Sequence, residues 1–319
     1  MSSISPKHIL SINDIDKPFL DVLLRDAEQM KLAVKSNSND YCQLLQNKVL
    51  ACLFYEPSTR TSCSFQAAMY RLGGSVIVVN EQTSSAQKGE TVQDTVTTLG
   101  CYCDALVIRH PTSGIMEKLS ANSVKPIINA GDGNNEHPTQ ALLDVFTIKT
   151  ELGDPLSNKM TITFLGDLKN SRTVHSLVHL LTLFEGVRMV FVSPHLLTIP
   201  DEIICKLGQI GIDYKIGESL EDAITYTDVL YVTRIQKERF SDKEEYGRLV
   251  GSYQVNTDLM KRAKQNMIVM HPLPRNDEIH TDVDADPRAA YIRQMENGMY
   301  MRMALLANIL GTKEDQRES

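Results

Sequence analysis

The amino-acid sequence predicts an α/β protein built of two doubly wound parallel-sheet domains. Three observations lead there. Short apolar runs rich in β-branched residues alternate with stretches of helical periodicity, the rhythm of a parallel sheet with helices on both faces. That rhythm breaks near residue 150 and restarts, and 319 residues can fill two ordinary cores. Polar motifs, most of them carrying arginine, directly follow the strand-like runs, where folds of this class bind ligands.

The elements follow in order. "KVLACLFY" (48–55) reads as a buried strand, and "SFQAAMYRLGG" (64–74) as a helix stopped by a glycine pair. "SVIVVN" (75–80) is the next strand and "TVQDTVTTLGCY" (91–102) the next helix. "DALVIRH" (104–110) and "KPIINAG" (125–131) are strands with a helix-like segment between them. "PTQALLDVFTIKTEL" (138–152) carries apolar residues at helical spacing and reads as a helix joining the two halves. In the second half, "KMTITFLGD" (159–167), "RMVFVSP" (188–194), "DVLYVTR" (228–234) and "MIVMHPLP" (267–274) read as strands. "SRTVHSLVHLLTLF" (171–184) and "GMYMRMALLANIL" (298–310) read as helices. There is no motif repeat, low-complexity tract or long linker.

Composition removes several classes of function. The net charge is −7 and no dense Lys/Arg block occurs, which argues against nucleic acid and membrane surfaces as partners. Any anionic ligand must be held by a local cluster of positive groups. No basic segment followed by an apolar core opens the chain, and no run of 18 apolar residues exists, so neither signal peptide nor membrane span is expected. Cys42, Cys52, Cys63, Cys101, Cys103 and Cys205 form no CxxC pair, and Cys101 with Cys103 lacks a nearby histidine. All six read as reduced core or semi-buried thiols of a cytosolic protein, with no metal site and no cofactor expected.

Each strand-end motif has a plain reading and a chemical one. In "EPSTRTS" (56–62), Ser58 and Thr59 can simply cap a helix. The first-turn N–H groups of that helix can also receive an anion, with Arg60 adding a fork that matches phosphate oxygens. Arg109 in "RHP" is either a surface ion pair or a strand-end cation. In "EHPTQ", Pro138 favours the first helical position, so His137 sits at a helix mouth with Gln140 in the first turn. There His137 either caps the helix or polarises a carbonyl. "GDLKNSRTVHS" repeats the first design and sets Arg172 near a helix start. A nucleotide loop is its rival, but no GxGxxG or GxxxxGK[ST] occurs. "TRIQKERF" carries Arg234 and Gln236 beyond another strand, with Lys237 and Arg239 on a charged stretch. "HPLPR" is a rigid loop whose prolines leave carbonyls such as that of Leu273 free to accept. "TSSAQKGE" (83–90), with Ser84 and Lys88, reads by itself as a solvated loop.

As a set and in this order, "STRT", "KGET", "RHP", "EHPTQALLD", "GDLKNSRTVHSL", "TRIQKERF" and "HPLPR" resemble the aspartate carbamoyltransferase family from about residue 45 to 310. Ornithine carbamoyltransferase shares the phosphate half, but would carry a cysteine in place of Pro272 and lack the "TRIQKERF" stretch. Pro57 and Asn276 are the departures from the usual bacterial form. The resemblance implies a carbamoyl-phosphate domain of residues 1–143 plus 292–319, an aspartate domain of residues 144–291, interdomain helices and a substrate site in the cleft. It implies that Ser58, Thr59, Arg60 and Thr61 hold the phosphate, and that Thr61, Arg109 and His137 surround the carbamoyl oxygen. Gln140 and the carbonyls of Leu273 and Pro274 would take the carbamoyl NH2, with a cis bond before Pro274.

Arg172, Arg234 and Gln236 would bind aspartate, joined by Lys88. Glu56 would brace Arg172 and Arg239 on domain closure. Ser84 and Lys88 would come from the adjacent subunit of a homotrimer. The implied reaction is transfer of the carbamoyl group to the aspartate amine, an early step of pyrimidine synthesis, in a free-standing chain or as part of a fusion with other pathway enzymes. Two rivals stay open: a module that binds anions without turnover, and an enzyme acting on a different amine.

Overall fold

The computed structural model describes residues 6–153, 159–236 and 253–311. It comprises two α/β units, Met1–Phe146 with Glu296–Ser319, and Thr147–Met295. Both sheets are parallel throughout.

The first unit carries strands β1 (Val49–Phe54), β2 (Ser75–Asn80), β3 (Ala105–His110) and β4 (Ile127–Asp132) in the order β2-β1-β3-β4. Successive residues of a strand face opposite sides. Leu50 and Cys52 are as fully buried as Ala51 and Leu53, so both faces of β1 are covered. One of those faces packs Ala51, Leu53, Leu106 and Ile108 against Val96 and Leu99 of α3 (Val92–Gly100) and Met116 and Leu119 of α4 (Ile115–Ser120).

The motif helix α2 runs Thr59–Arg71, starting five residues before the 64–74 segment read from the sequence. A helix that the sequence reading passed over, α1 (Lys17–Lys35), precedes β1. Asp16 caps it by accepting the Phe19 N–H at 2.8 Å, Pro18 opens its first turn, and Leu20, Leu23, Leu24 and Ala27 line its buried stripe.

Because β1 lies between β2 and β3, the chain leaves it in opposite directions, and a crevice opens beyond the C-terminal ends of β1 and β3. Register makes those ends level. Phe54 pairs with Arg109, and the Tyr55 N–H donates to the Arg109 carbonyl at 2.9 Å. The residues after β1 therefore meet the residue that ends β3.

The second unit repeats the plan with β5 (Met160–Leu165), β6 (Val187–Val192), β7 (Tyr214–Ile216), β8 (Val229–Val232) and β9 (Ile268–Met270), ordered β7-β6-β5-β8-β9. Its switch point lies between β5 and β8, where Leu165 pairs with Val232. Gly166 there has φ +112°, and a Cβ on it would stand 2.2 Å from the Thr233 carbonyl oxygen, so only glycine lets the two strand ends approach so closely. The run 267–274 ladders only over Ile268–Met270, since Pro272 and Pro274 cannot donate to a neighbouring strand.

Two long helices complete the cores: α5 (Pro138–Leu152) and the last described helix, Tyr291–Leu310. Within the first unit, Arg302 of that last helix is buried, with its guanidinium 5.0 Å from the Phe65 ring centroid. Its Nε has no hydrogen-bond acceptor, and the negative ring face stands in for one. Burial pushes the guanidinium pKa down to about 10, the charge of Asp144 in α5 pulls the other way, and the group is charged at neutral pH. Among the described residues no helix is long and apolar enough to cross a membrane.

Candidate active site

At the switch point of the first unit, Ser58 occupies the N-cap position of α2 but makes no capping bond. The capping role expected of its side chain is taken over by another contact: its Oγ accepts from Arg109 Nη1 at 3.3 Å. On the other side, Arg109 Nε donates to Glu56 at 3.1 Å. The Glu56 carboxylate, which the resemblance assigns to domain closure, here accepts from Arg109. The guanidinium is thus fixed in plane beside the open end of α2, where the N–H groups of the first turn face out. Arg60 is exposed on that turn, and Thr61 is buried beneath it. The arrangement presents two arginines, a hydroxyl and a positive helix end, the chemistry of a phosphate or carboxylate site.

The turn after β4 delivers His137 and Gln140. Buried Asp132 accepts from Gly114 N–H at 2.7 Å, Asn135 Nδ2 at 3.0 Å and Glu136 N–H at 3.2 Å, which folds the chain back before Pro138. His137 is 4% exposed, at the mouth of α5, and its Nδ1 is 3.5 Å from Thr139 Oγ1. Gln140 Nε2 donates to Asp144 at 2.9 Å. That bond directs the amide nitrogen inward and makes Oε1 the end suited to accept from a ligand N–H. Glu136 is anchored by the Ile12 N–H at 2.6 Å and the Ser11 hydroxyl at 2.9 Å, and burial raises its carboxyl pKa.

The second unit gathers a matching set. Arg172 is the first residue of α6 (Arg172–Leu181), and Arg234 and Gln236 follow β8. Thr233 donates its hydroxyl to the Leu165 carbonyl at 3.1 Å, tying the two strand ends together. Gln236 Nε2 donates to the Asn170 carbonyl at 3.2 Å. Beneath both lies Asp167, fully buried, which accepts from Asn170 N–H at 3.0 Å and from the Gln236 backbone. Burial raises its pKa, and these donors oppose that rise. The sequence reading saw Asp167 only as a strand end. Its signal is an aspartate three residues before an asparagine, a side-chain-closed turn.

Leu273 and Pro274 form a turn beyond β9, where Leu273 has φ +54° and the Leu273–Pro274 bond is cis. Lys88 is exposed at the end of a short 3-10 turn, Ser85–Lys88, beyond the edge strand β2. Ser84 caps that turn through the Ala86 N–H at 3.3 Å. Lys237 and Arg239 lie outside the described residues.

Two family models cover the chain: the carbamoyl-phosphate-binding domain of aspartate/ornithine carbamoyltransferase over residues 7–150, and its Asp/Orn-binding domain over residues 158–309. The multifunctional protein pyr1-3 of Dictyostelium discoideum is 53% identical over 97% of this chain, which spans only 14% of that protein's length. The aspartate carbamoyltransferase catalytic subunit of Thermoplasma volcanium is 49% identical, over 96% of this chain and 98% of its own. A crystal structure of aspartate transcarbamoylase from Trypanosoma cruzi in complex with carbamoyl phosphate and aspartate superposes with a TM-score of 0.91 at 42% identity, covering 97% of this chain and 98% of that one. Two domain models in tandem, near-complete coverage and arginine-bearing switch points in both units have one reading: the chain belongs to the aspartate/ornithine carbamoyltransferase family.

Proposed function

We propose that the protein transfers the carbamoyl group of carbamoyl phosphate to the amine of L-aspartate, giving N-carbamoyl-L-aspartate and phosphate, an early step of de novo pyrimidine synthesis. The observation that carries this reading is Arg109 held between Glu56 and Ser58 at the open end of α2. It is a preorganised cation beside an anion-ready helix end, and it needs no reorganisation when charge develops.

Ser58, Thr59, Arg60 and Thr61 hold the phosphate. Thr61, Arg109 and His137 donate to the carbamoyl oxygen as the amine attacks. Gln140 and the carbonyls of Leu273 and Pro274 take the carbamoyl NH2, and Arg172, Arg234 and Gln236 take the aspartate carboxylates. The C–N bond forms as the C–O bond to phosphate breaks, and the departing phosphate accepts the amine proton. The rest of the catalysis is positioning two anions that repel each other. The test is phosphate release from carbamoyl phosphate with aspartate, ornithine or putrescine as acceptor. Release with aspartate alone supports the reading. Release with another amine reassigns the substrate, and no release leaves an anion-binding module.

Arg234→Ala raises the aspartate requirement by about 10- to 100-fold, the worth of one charge-assisted hydrogen bond pair, and leaves carbamoyl phosphate affinity nearly unchanged. Equilibrium titration of each ligand checks it, and equal weakening of both would remove Arg234 from the aspartate set.

The working unit in this proposal is a cytoplasmic homotrimer in which Ser84 and Lys88 serve the neighbouring subunit's site. Exposure of Lys88 beyond an edge strand supports it. Lys88→Ala and His137→Ala chains, each nearly inactive, are unfolded, mixed equally and refolded. Random cyclic trimers are about three-quarters mixed, and each mixed trimer has one intact site of three, so roughly a quarter of wild-type activity returns. If Lys88 served its own chain, mixed trimers would stay inactive. Fusion or association with other enzymes of the pathway belongs to the same proposal, and the multifunctional relative supports it.

A further inference from the structure

His271, directly after β9, is 1% exposed and has no part in the reaction just described. Its backbone N–H and both ring nitrogens are engaged. The backbone N–H donates to Gln294 Oε1 at 2.9 Å, and the Leu273 N–H donates to Nδ1 at 2.8 Å. Nε2 lies 2.8 Å from Glu278 Oε1. A backbone N–H can only donate, so Nδ1 is the bare nitrogen and the ring proton sits on Nε2, where it donates to Glu278. The same carboxylate oxygen accepts the Asn276 N–H at 3.1 Å. One imidazole and one carboxylate therefore hold both ends of the segment Leu273–Asn276. Within it Pro274 has no N–H, and Leu273 carries a left-handed φ that a non-glycine residue keeps only when its surroundings enforce it.

We propose that His271 is a positioning residue: its bare Nδ1 fixes Leu273, and so aims the carbonyls of Leu273 and Pro274, while Glu278 keeps the proton on Nε2. This rests on the reading that those carbonyls take the carbamoyl NH2. A histidine that merely filled space would need neither nitrogen committed. A second proton would have to enter at Nδ1 and would face the Leu273 N–H, donor against donor. Burial opposes that proton first of all, Glu278 favours it, and the charges of Arg275 and Arg234 oppose it. The unfolded imidazole accepts a proton near about 6.5 while the folded one resists, so the turn loses stability as pH falls below that value.

The tautomer is read by 15N NMR on the intact protein, with Nε2 protonated and Nδ1 bare as the expected result. His271→Asn keeps an acceptor near the Nδ1 position, and His271→Gln keeps a donor near the Nε2 position. Binding of carbamoyl phosphate falls about tenfold in His271→Gln, the cost of releasing one buried backbone donor, and is largely restored in His271→Asn. Binding of inorganic phosphate, which has no NH2, stays level in both. Glu278→Gln moves the His271 titration to lower pH, because it removes the charge that favours the imidazolium. A proton on Nδ1, or equal weakening of both ligands by both variants, overturns the positioning role. The reading beneath it fails separately, if the wild-type protein binds carbamoyl phosphate no better than phosphate.

Discussion

Arg109→Ala lowers kcat by about 10²- to 10³-fold, the usual cost of removing one preorganised donor from a developing oxyanion. The expectation comes from how this guanidinium is held. Glu56 takes Nε and Ser58 takes Nη1, so its plane is set before any ligand arrives. In the proposed reaction, binding carbamoyl phosphate already uses part of its charge, yet the carbonyl oxygen becomes fully negative only as the amine attacks. The loss should therefore fall on turnover more than on ground-state affinity. Arg109→Lys restores charge without the fork and lands between the two, since an ammonium cannot donate to Glu56 and Ser58 in one plane and still reach a ligand. Steady-state phosphate release, beside equilibrium titration of carbamoyl phosphate, measures the split. Normal turnover with weak binding would make Arg109 a clamp and move the charge-stabilising role to His137 and Thr61.

Arg302→Met destabilises the first unit by about 2 kcal/mol, the worth of a desolvated cation–π contact, here the buried guanidinium on the Phe65 ring. Arg302 and Asp144 are both buried, and the methionine also removes a positive charge that the charge of Asp144 favours. The melting temperature should fall by about 4–8 °C, at 2–4 °C per kcal/mol for a unit of this size. The paired change Arg302→Met with Asp144→Asn should recover part of the loss, because the carboxylate charge that the guanidinium favours is removed with it. Activity would not recover with it in full, as Gln140 donates to Asp144 and depends on it for its orientation. Thermal unfolding of the two single variants and the double variant gives the coupling. A loss under about 0.5 kcal/mol for Arg302→Met, the low end for an exposed cation–π contact, would show that this contact is not what holds the core.

The parallel sheets could be read in advance because buried strands are written as short unbroken apolar runs, as in 49–54 and 160–165. What escaped was written differently. The β7 strand, Tyr214–Ile216, is three residues long with a lysine in its middle, too short for a period to declare itself. The α1 helix carries an aspartate cap and a proline in its first turn, yet it precedes the first strand and bears none of the motifs that drew attention. The last helix begins at Tyr291, seven residues before the apolar segment that announces it, because its first turns are mostly polar. Within the candidate sites, the residues proposed to touch ligand stand out as arginines and hydroxyls after strands. Asp132, Asp144, Asp167 and His271, which hold those residues in place, do not stand out. A buried aspartate has the same letter as a surface one, and only the fold brings it to Gly114, Gln140 or Gln236.

The two units differ in one respect that concerns the order in which they can be completed. The second is a single continuous stretch, Thr147–Met295, while the first needs both Met1–Phe146 and the residues from Glu296 onward. A growing chain emerges from its N-terminus at about 5–20 residues per second. The half that begins first is therefore the half that finishes last. For the time it takes to make some 150 residues, the β1–β4 sheet exists without the helix that brings Arg302, and Asp144 and Phe65 wait with that side of the core open. The continuous unit can close in that interval with its five described strands in hand. On the ribosome the first unit is thus the long-lived intermediate, the one that exposes apolar surface and the one for which a chaperone has something to hold.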